Sequence, residues 1–204
     1  MNELSNFAIW SQVDVSKFLE DDRANPARKA AVETIGAFAV QPLAKSKQPF
    51  SILEIGPGNG IDYQDHFSKL EASKLISYEA YEPSPKLRAE FQRRCPQVKV
   101  RNATFAQLKP KNWSCIYVKA VFEHQPEITA PLKAVLDAAV KLVVINWYLP
   151  PDDELAKIEL NETEQVYYNI YPKSLVSQII AEAGWTLREH KPEGSLNTLY
   201  ILTR

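Results

Sequence analysis

The chain of 204 residues holds only six glycines, and three of them, Gly56, Gly58 and Gly60, fall in one pentapeptide, GPGNG. That pentapeptide directly follows the apolar run Phe50–Ile55. A plain strand-to-helix turn needs one residue of positive φ. Three glycines in five positions point instead to backbone that a ligand approaches closely at the carboxyl end of a parallel strand. The spacing narrows the ligand. The dinucleotide fingerprint is G-x-G-x-x-G, whereas here the third glycine comes one residue early and Ile61 stands in its place, which disfavours a nicotinamide or flavin site. No lysine followed by Ser or Thr comes after the loop, which excludes a nucleoside-triphosphate P-loop.

Around this turn the sequence alternates strand and helix signals. Asn25 as N-cap and Pro26 at the first helical position open a predicted helix to Phe38, with Ala31, Thr34, Ile35 and Phe38 on one face. Behind the glycine turn, Tyr63, Phe67 and Leu70 fall at helical spacing, which predicts the helix of a β-turn-α unit. Ile76–Tyr81 reads as a second strand, and Ser84-Pro85 as the cap of a helix carrying Leu87 and Phe91. Strand signals follow at Val98–Arg101, Cys115–Val118 and Leu142–Trp147, the last preceded by a helix with Leu132, Val135, Leu136 and Ala139 on one face. A helix over Pro172–Ala183, closed by Gly184, leads to two strands, Trp185–His190 and Leu196–Thr203, joined by a turn with Pro192 and Gly194. The predicted class is α/β: a mostly parallel sheet with helices on both faces and a C-terminal antiparallel hairpin.

Charge and terminus exclude other classes. The 24 basic and 25 acidic residues give a net charge of −1, which disfavours nonspecific nucleic-acid binding. The first residues lack a basic start, an apolar core and a cleavage site, and no apolar run is of bilayer length, so the expected location is cytoplasmic with no membrane. Cys95 and Cys115 have neither paired spacing nor flanking histidines, so no disulfide framework or metal site is expected.

Leu53-Glu54-Ile55-Gly56-Pro57-Gly58-Asn59-Gly60 resembles the E/D-x-G-x-G-x-G motif of the class I S-adenosylmethionine-dependent methyltransferases. The resemblance extends over Phe50 to Arg204, through YEAYEPS, Asn102-Ala103, IYVKAVFEHQP and YYNIYPKSLVSQIIAEAGW. It implies a Rossmann-like sheet of seven strands and S-adenosylmethionine as cofactor. It further implies that Gly56, Pro57, Gly58 and Gly60 form the cofactor loop and that Glu82 grips the ribose hydroxyls. Asn102 and Ala103 would read the adenine, and Glu54 would orient the methionine end. Two departures qualify it. Cys115 stands where many relatives have aspartate, and Lys119-Ala120-Val121-Phe122 is not the Asn/Asp-Pro-Pro-aromatic tetrapeptide of enzymes that methylate exocyclic amines or glutamine amides. The implied domain is 49–204, with 1–48 a helical segment carrying Phe7, Trp10 and Phe18 that is either a lid or a packing helix.

The expected function is methyl transfer to a small-molecule acceptor by in-line displacement. Its alternatives are a non-catalytic cofactor-binding subunit or an aminopropyl-type transferase, although no paired aspartates for a polyamine are visible. Holding nucleophile and methyl in line supplies up to about 7 to 11 kcal/mol, so a base is needed only for a protonated nucleophile. His124, just past the fourth strand, is the catalytic candidate by position and intrinsic pKa, with packing beside the cofactor as its other reading. His66 and His190 are expected to be structural. Trp147, Tyr148, Tyr167, Tyr168 and Tyr171 suggest an aromatic-lined acceptor pocket. The oligomeric state is left open.

Overall fold

The computed structural model describes residues 24–46, 49–71 and 76–204. Helix α1 (Pro26–Ser46) starts as expected, the Asn25 side chain accepting from the Ala27 N–H at 3.0 Å, but it continues through Pro42 to Ser46 rather than stopping at Phe38. Strands β1 (Phe50–Ile55), β2 (Ile76–Tyr81), β3 (Lys99–Arg101), β4 (Trp113–Lys119) and β5 (Ala139–Trp147) are parallel. Between them lie α2 (Ser68–Glu71), α3 (Pro85–Arg94) and α4 (Thr129–Ala138). A two-stranded ribbon, β6 (Leu160–Asn161) and β7 (Val166–Tyr167), precedes α5 (Lys173–Glu182) and the hairpin strands β8 (Thr186–His190) and β9 (Thr198–Thr203). The sheet order is β3-β2-β1-β4-β5-β9-β8, seven strands, with β9 antiparallel to β5 and β8 antiparallel to β9. The expected fold class is therefore correct.

Successive strand residues face opposite sides, and in the middle of the sheet both sides are covered, so β1, β4 and β5 read as nearly continuous apolar runs. Ile52, Tyr117 and Val144 enter a core under α1, while Leu53, Ile116 and Val143 enter a second core under α4 and α5. Among the described residues no helix is long and apolar enough to cross a membrane. The stretch after the glycine turn is a π-helix over Tyr63–Phe67 before α2 begins. It sets both rings on Tyr78, at centroid distances of 4.9 and 5.2 Å.

Chain order reverses between β1 and β4: β2 lies on one flank of β1 and β4 on the other, which opens a crevice at their carboxyl ends. Two details fix its walls. Gly60, at φ +81°, lies against α3, where an added Cβ would come within 2.7 Å of the Phe91 ring. Glu123, buried just past β4, accepts from the backbone N–H groups of Tyr148 at 2.5 Å and Leu149 at 3.3 Å, and its own carbonyl accepts from Asn169 N–H at 2.9 Å. One residue thus ties the β4 loop to the end of β5 and to the segment after the ribbon.

Gly60→Ala combines left-handed backbone with a clash and is expected to cost about 2 to 4 kcal/mol, whereas Gly184→Ala, also at positive φ but with nothing within 4 Å of the new methyl, should cost about 1 kcal/mol. Urea midpoints of the two variants check this; equal losses would mean that Phe91 gives way freely. Burial lifts the Glu123 carboxyl from 4.5 to about 7. A carboxyl raised by folding stabilises fully below its unfolded pKa, and that contribution is lost as pH rises through the folded value, here about 3 kcal/mol between pH 4.5 and 8. Glu123→Gln keeps the accepting oxygen and removes the titration. Its stability relative to wild type should therefore improve by about 2.5 kcal/mol from pH 5 to pH 8, and a pH-independent difference in melting temperature would contradict this.

Candidate active site

The crevice is a cavity of about 680 Å³. One side is formed by Gly56 and Gly58 after β1, Glu82 after β2, and Ala103, Thr104 and Phe105 after β3. The other side is formed by Lys119 at the end of β4, Val121 and His124 after it, Asn146 and Tyr148 at the end of β5, and Ser195 to Asn197 ahead of β9.

The three glycines divide their work. Gly56, at φ +74°, faces the β4 loop so closely that a Cβ would sit 2.2 Å from Val121 Cγ2 and 3.1 Å from the Lys119 carbonyl. Gly58, at φ +60°, lines the cavity and donates its N–H to Glu82 Oε2 at 3.1 Å. Gly60 closes the turn, donating to the Pro57 carbonyl at 3.1 Å, and neither Pro57 nor Gly60 reaches the cavity wall.

Glu82 is only 4% exposed, and its Oε1 accepts from Ser84 N–H at 2.9 Å. Burial pushes its carboxyl up to about 7 against the opposing pull of the Ser84 and Gly58 N–H groups. A carboxylate offers about four lone-pair sites, so two bonds to the backbone leave capacity for further donors. After β3, Ala103 lines the cavity while Asn102 is exposed and does not.

Glu54 lies behind the wall. It is fully buried, accepts from the Tyr78 hydroxyl, and is held well above the usual carboxylate range by burial and by nearby Asp62. Asp62, also fully buried, bridges Arg28 Nη1 of α1 at 3.0 Å and Lys119 Nζ at 3.1 Å. Arg28 Nη2 also meets Asp65 Oδ2 at 3.3 Å, and removing the shared Asp62 carboxylate would take a buried counter-charge from both cations, so this bridge binds α1 and the β4 end to the glycine turn.

His124 lines the cavity and is buried. Its Nδ1 lies 2.8 Å from the Tyr167 carbonyl, which can only accept, so Nδ1 carries the proton and Nε2 the lone pair. Burial lowers its pKa and so favours the neutral ring. Tyr168 meets it edge-on at 5.5 Å. Of the other aromatics, Tyr148 and Tyr168 line the cavity, Trp147 and Tyr171 are buried in the core, and Tyr167 contributes its carbonyl. His66 and His190 are away from the wall. Phe7, Trp10 and Phe18 lie outside the described residues. Among the described residues no cluster of His, Cys, Asp or Glu could hold a metal ion.

Sequence reasoning missed Lys119, Asn146, Ser195 and Asn197. Lys119 and Asn146 could have been found as polar residues at the carboxyl ends of apolar strands. The other two reach the cavity only through the hairpin's register.

No protein-family model matches the sequence, and no curated protein matches it. Solved structures do. Magnesium protoporphyrin IX methyltransferase (ChlM) from Synechocystis PCC 6803, with bound S-adenosylmethionine, matches with a TM-score of 0.64 at 15% identity, covering 98% of this chain and 89% of that one. DhpI in complex with S-adenosylhomocysteine matches at 0.59 and 16% identity over 98% and 95% of the two chains. The DszA carbon methyltransferase gives 0.71 at 10% identity over 98% of this chain and 60% of that one. At these identities the likeness is one of architecture: the chain has the fold of the class I S-adenosylmethionine-dependent methyltransferases.

Proposed function

We propose that this chain binds S-adenosylmethionine in the cavity at the β1/β4 switch point and transfers its methyl group to a small-molecule acceptor. The observation that carries the reading is the pairing of bare glycine backbone with the buried Glu82 carboxylate on one wall. The likeness to structures holding S-adenosylmethionine or S-adenosylhomocysteine supports the same cofactor.

When bound, this cofactor supplies a methyl group activated by a positively charged sulfur. Gly56, Gly58 and Ala103 would leave room for it, and Glu82 would accept from the two ribose hydroxyls with the lone pairs that Gly58 and Ser84 do not use. Pro57 and Gly60 shape the loop from behind, Glu54 supports the wall through the Asp62 and Lys119 group, and Asn102 stands outside the cavity. His124, neutral and with its lone pair at Nε2, would take a proton from a protonated nucleophile, leaving Tyr167 to hold the ring. The rest of the rate would come from alignment.

Calorimetry with S-adenosylhomocysteine and NAD tests the cofactor reading, and tighter binding of NAD would overturn it. Glu82→Ala should weaken S-adenosylhomocysteine binding about 30-fold to 1,000-fold, or about 2 to 4 kcal/mol. Donors to Glu82 favour its ionised form, so wild-type affinity should rise as pH climbs through about 7, a dependence that Glu82→Gln should remove. His124→Gln should lower turnover by about 10² to 10⁴ while leaving cofactor affinity near wild type. Labelled methyl transfer into a metabolite extract measures that turnover, and unchanged turnover would remove His124 from the chemistry.

A further inference from the structure

The wall opposite Glu82 carries a polar device to which the cofactor reading above assigns nothing. Asn146, near the end of β5, and Asn197, immediately ahead of β9, are 2% and 5% exposed and both line the cavity. Asn197 Nδ2 donates to Asn146 Oδ1 at 2.9 Å. The pair is held from behind: Asn197 N–H donates to Ser195 Oγ at 3.0 Å, and the Ser195 hydroxyl donates to Asn25 Oδ1, the cap of α1, at 3.3 Å. Three segments far apart in sequence thus fix two amides at one place.

A single bond between two amides leaves one group on each. Asn146 Nδ2 still has N–H groups to donate, and Asn197 Oδ1 can still accept; neither has a partner among the described residues. Turning both amides over exchanges the two roles and again leaves one donor beside one acceptor. Such a pair selects by charge type. A carboxylate offers only acceptors and would face the carbonyl oxygen unfavourably, and an ammonium offers only donors and would face the N–H groups. A hydroxyl or an amide edge satisfies both at once, and a ligand lacking such a group would leave buried polar atoms unpaired. Lys119 on the same wall has its charge matched by Asp62 at 3.1 Å, so it does not call for an anion. The same cavity is lined by Tyr148, Tyr168 and Leu196, the last 79% exposed, which suits an apolar body.

We propose that Asn146 and Asn197 are the specificity pair for the methyl acceptor, and that the acceptor is a neutral, largely apolar molecule presenting a hydroxyl or an amide edge. This rests on the methyl-transfer reading of the cavity.

The test compares wild type with Asn146→Asp, which keeps the oxygen that Asn197 donates to and turns the outward donor into an acceptor. After calorimetry with S-adenosylhomocysteine, saturation-transfer NMR ranks phenol, benzamide, benzoate and benzylammonium on the protein loaded with that ligand. Wild type should bind phenol and benzamide at least about tenfold more tightly than the charged probes. Asn146→Asp should keep its affinity for S-adenosylhomocysteine, weaken both neutral probes about tenfold and gain benzylammonium. If that variant does not fold, Asn146→Ser and Asn197→Ser must each erase the preference for neutral probes. Equal binding of a charged probe by wild type, no binding of any aryl probe, or the same ranking in the folded variants overturns the pair. If wild type does not bind S-adenosylhomocysteine, the probes are ranked on the unloaded protein, and an intact neutral preference there would overturn the methyl-transfer reading while leaving the pair as the selector of a neutral ligand.

Discussion

The absence of a side chain at Gly56 lets the turn after β1 press against the loop after β4, where even a methyl group would come 2.2 Å from Val121 Cγ2. Because β2 and β4 flank β1, this is where connections to the two halves of the sheet part, and without the close approach the crevice between them would have a different floor. Asp62 holds the same junction by charge, joining Arg28 and Lys119 across the turn. Shape and charge therefore fix one point, and the cavity walls are measured from it.

Besides Asp62, three buried glutamates surround this point, and burial raises the pKa of each of the three. Their partners differ, and so do their uses. Glu54 meets Tyr78 and the Asp62 group, which makes it a support behind the wall. Glu123 accepts, among the described residues, from backbone N–H groups alone and acts as a tie between loops. Glu82 alone stands at the cavity wall. A carboxyl near neutrality is costly to the fold and becomes useful where a ligand supplies the missing donors, and Glu82 is placed for that.

The parts of the fold that could be read from sequence are those set by local rules. Apolar runs marked β1, β4 and β5, Asn25-Pro26 marked the start of α1, and Gly184 marked the end of α5. What local rules could not supply depends on tertiary packing. The π-helix at Tyr63–Phe67 follows from two rings meeting Tyr78, and the β6–β7 ribbon consists of strands too short to leave a period. At the site, the glycine turn and Glu82 were legible because they follow strands directly. The glycine count alone did not reveal that Gly60 serves Phe91 rather than a ligand, nor that Ala103 and not Asn102 reaches the wall.

Asn146 and Asn197 were invisible for a stronger reason: their meeting is a matter of register. β9 pairs antiparallel with β5 so that Trp147 lies opposite Thr198 and Asn146 opposite Leu199. A slip of one residue would turn every β9 side chain to the other face and carry Asn197 away from Asn146. Leu199 and Leu202, both fully buried, prevent that slip, since each would exchange its core for the opposite one. The apolar residues of the last strand thus determine which polar groups line the cavity. The consequence is a division of labour along the chain: the β1 to β3 half presents what a cofactor would need, while the β5–β9 pairing presents what would tell one acceptor from another.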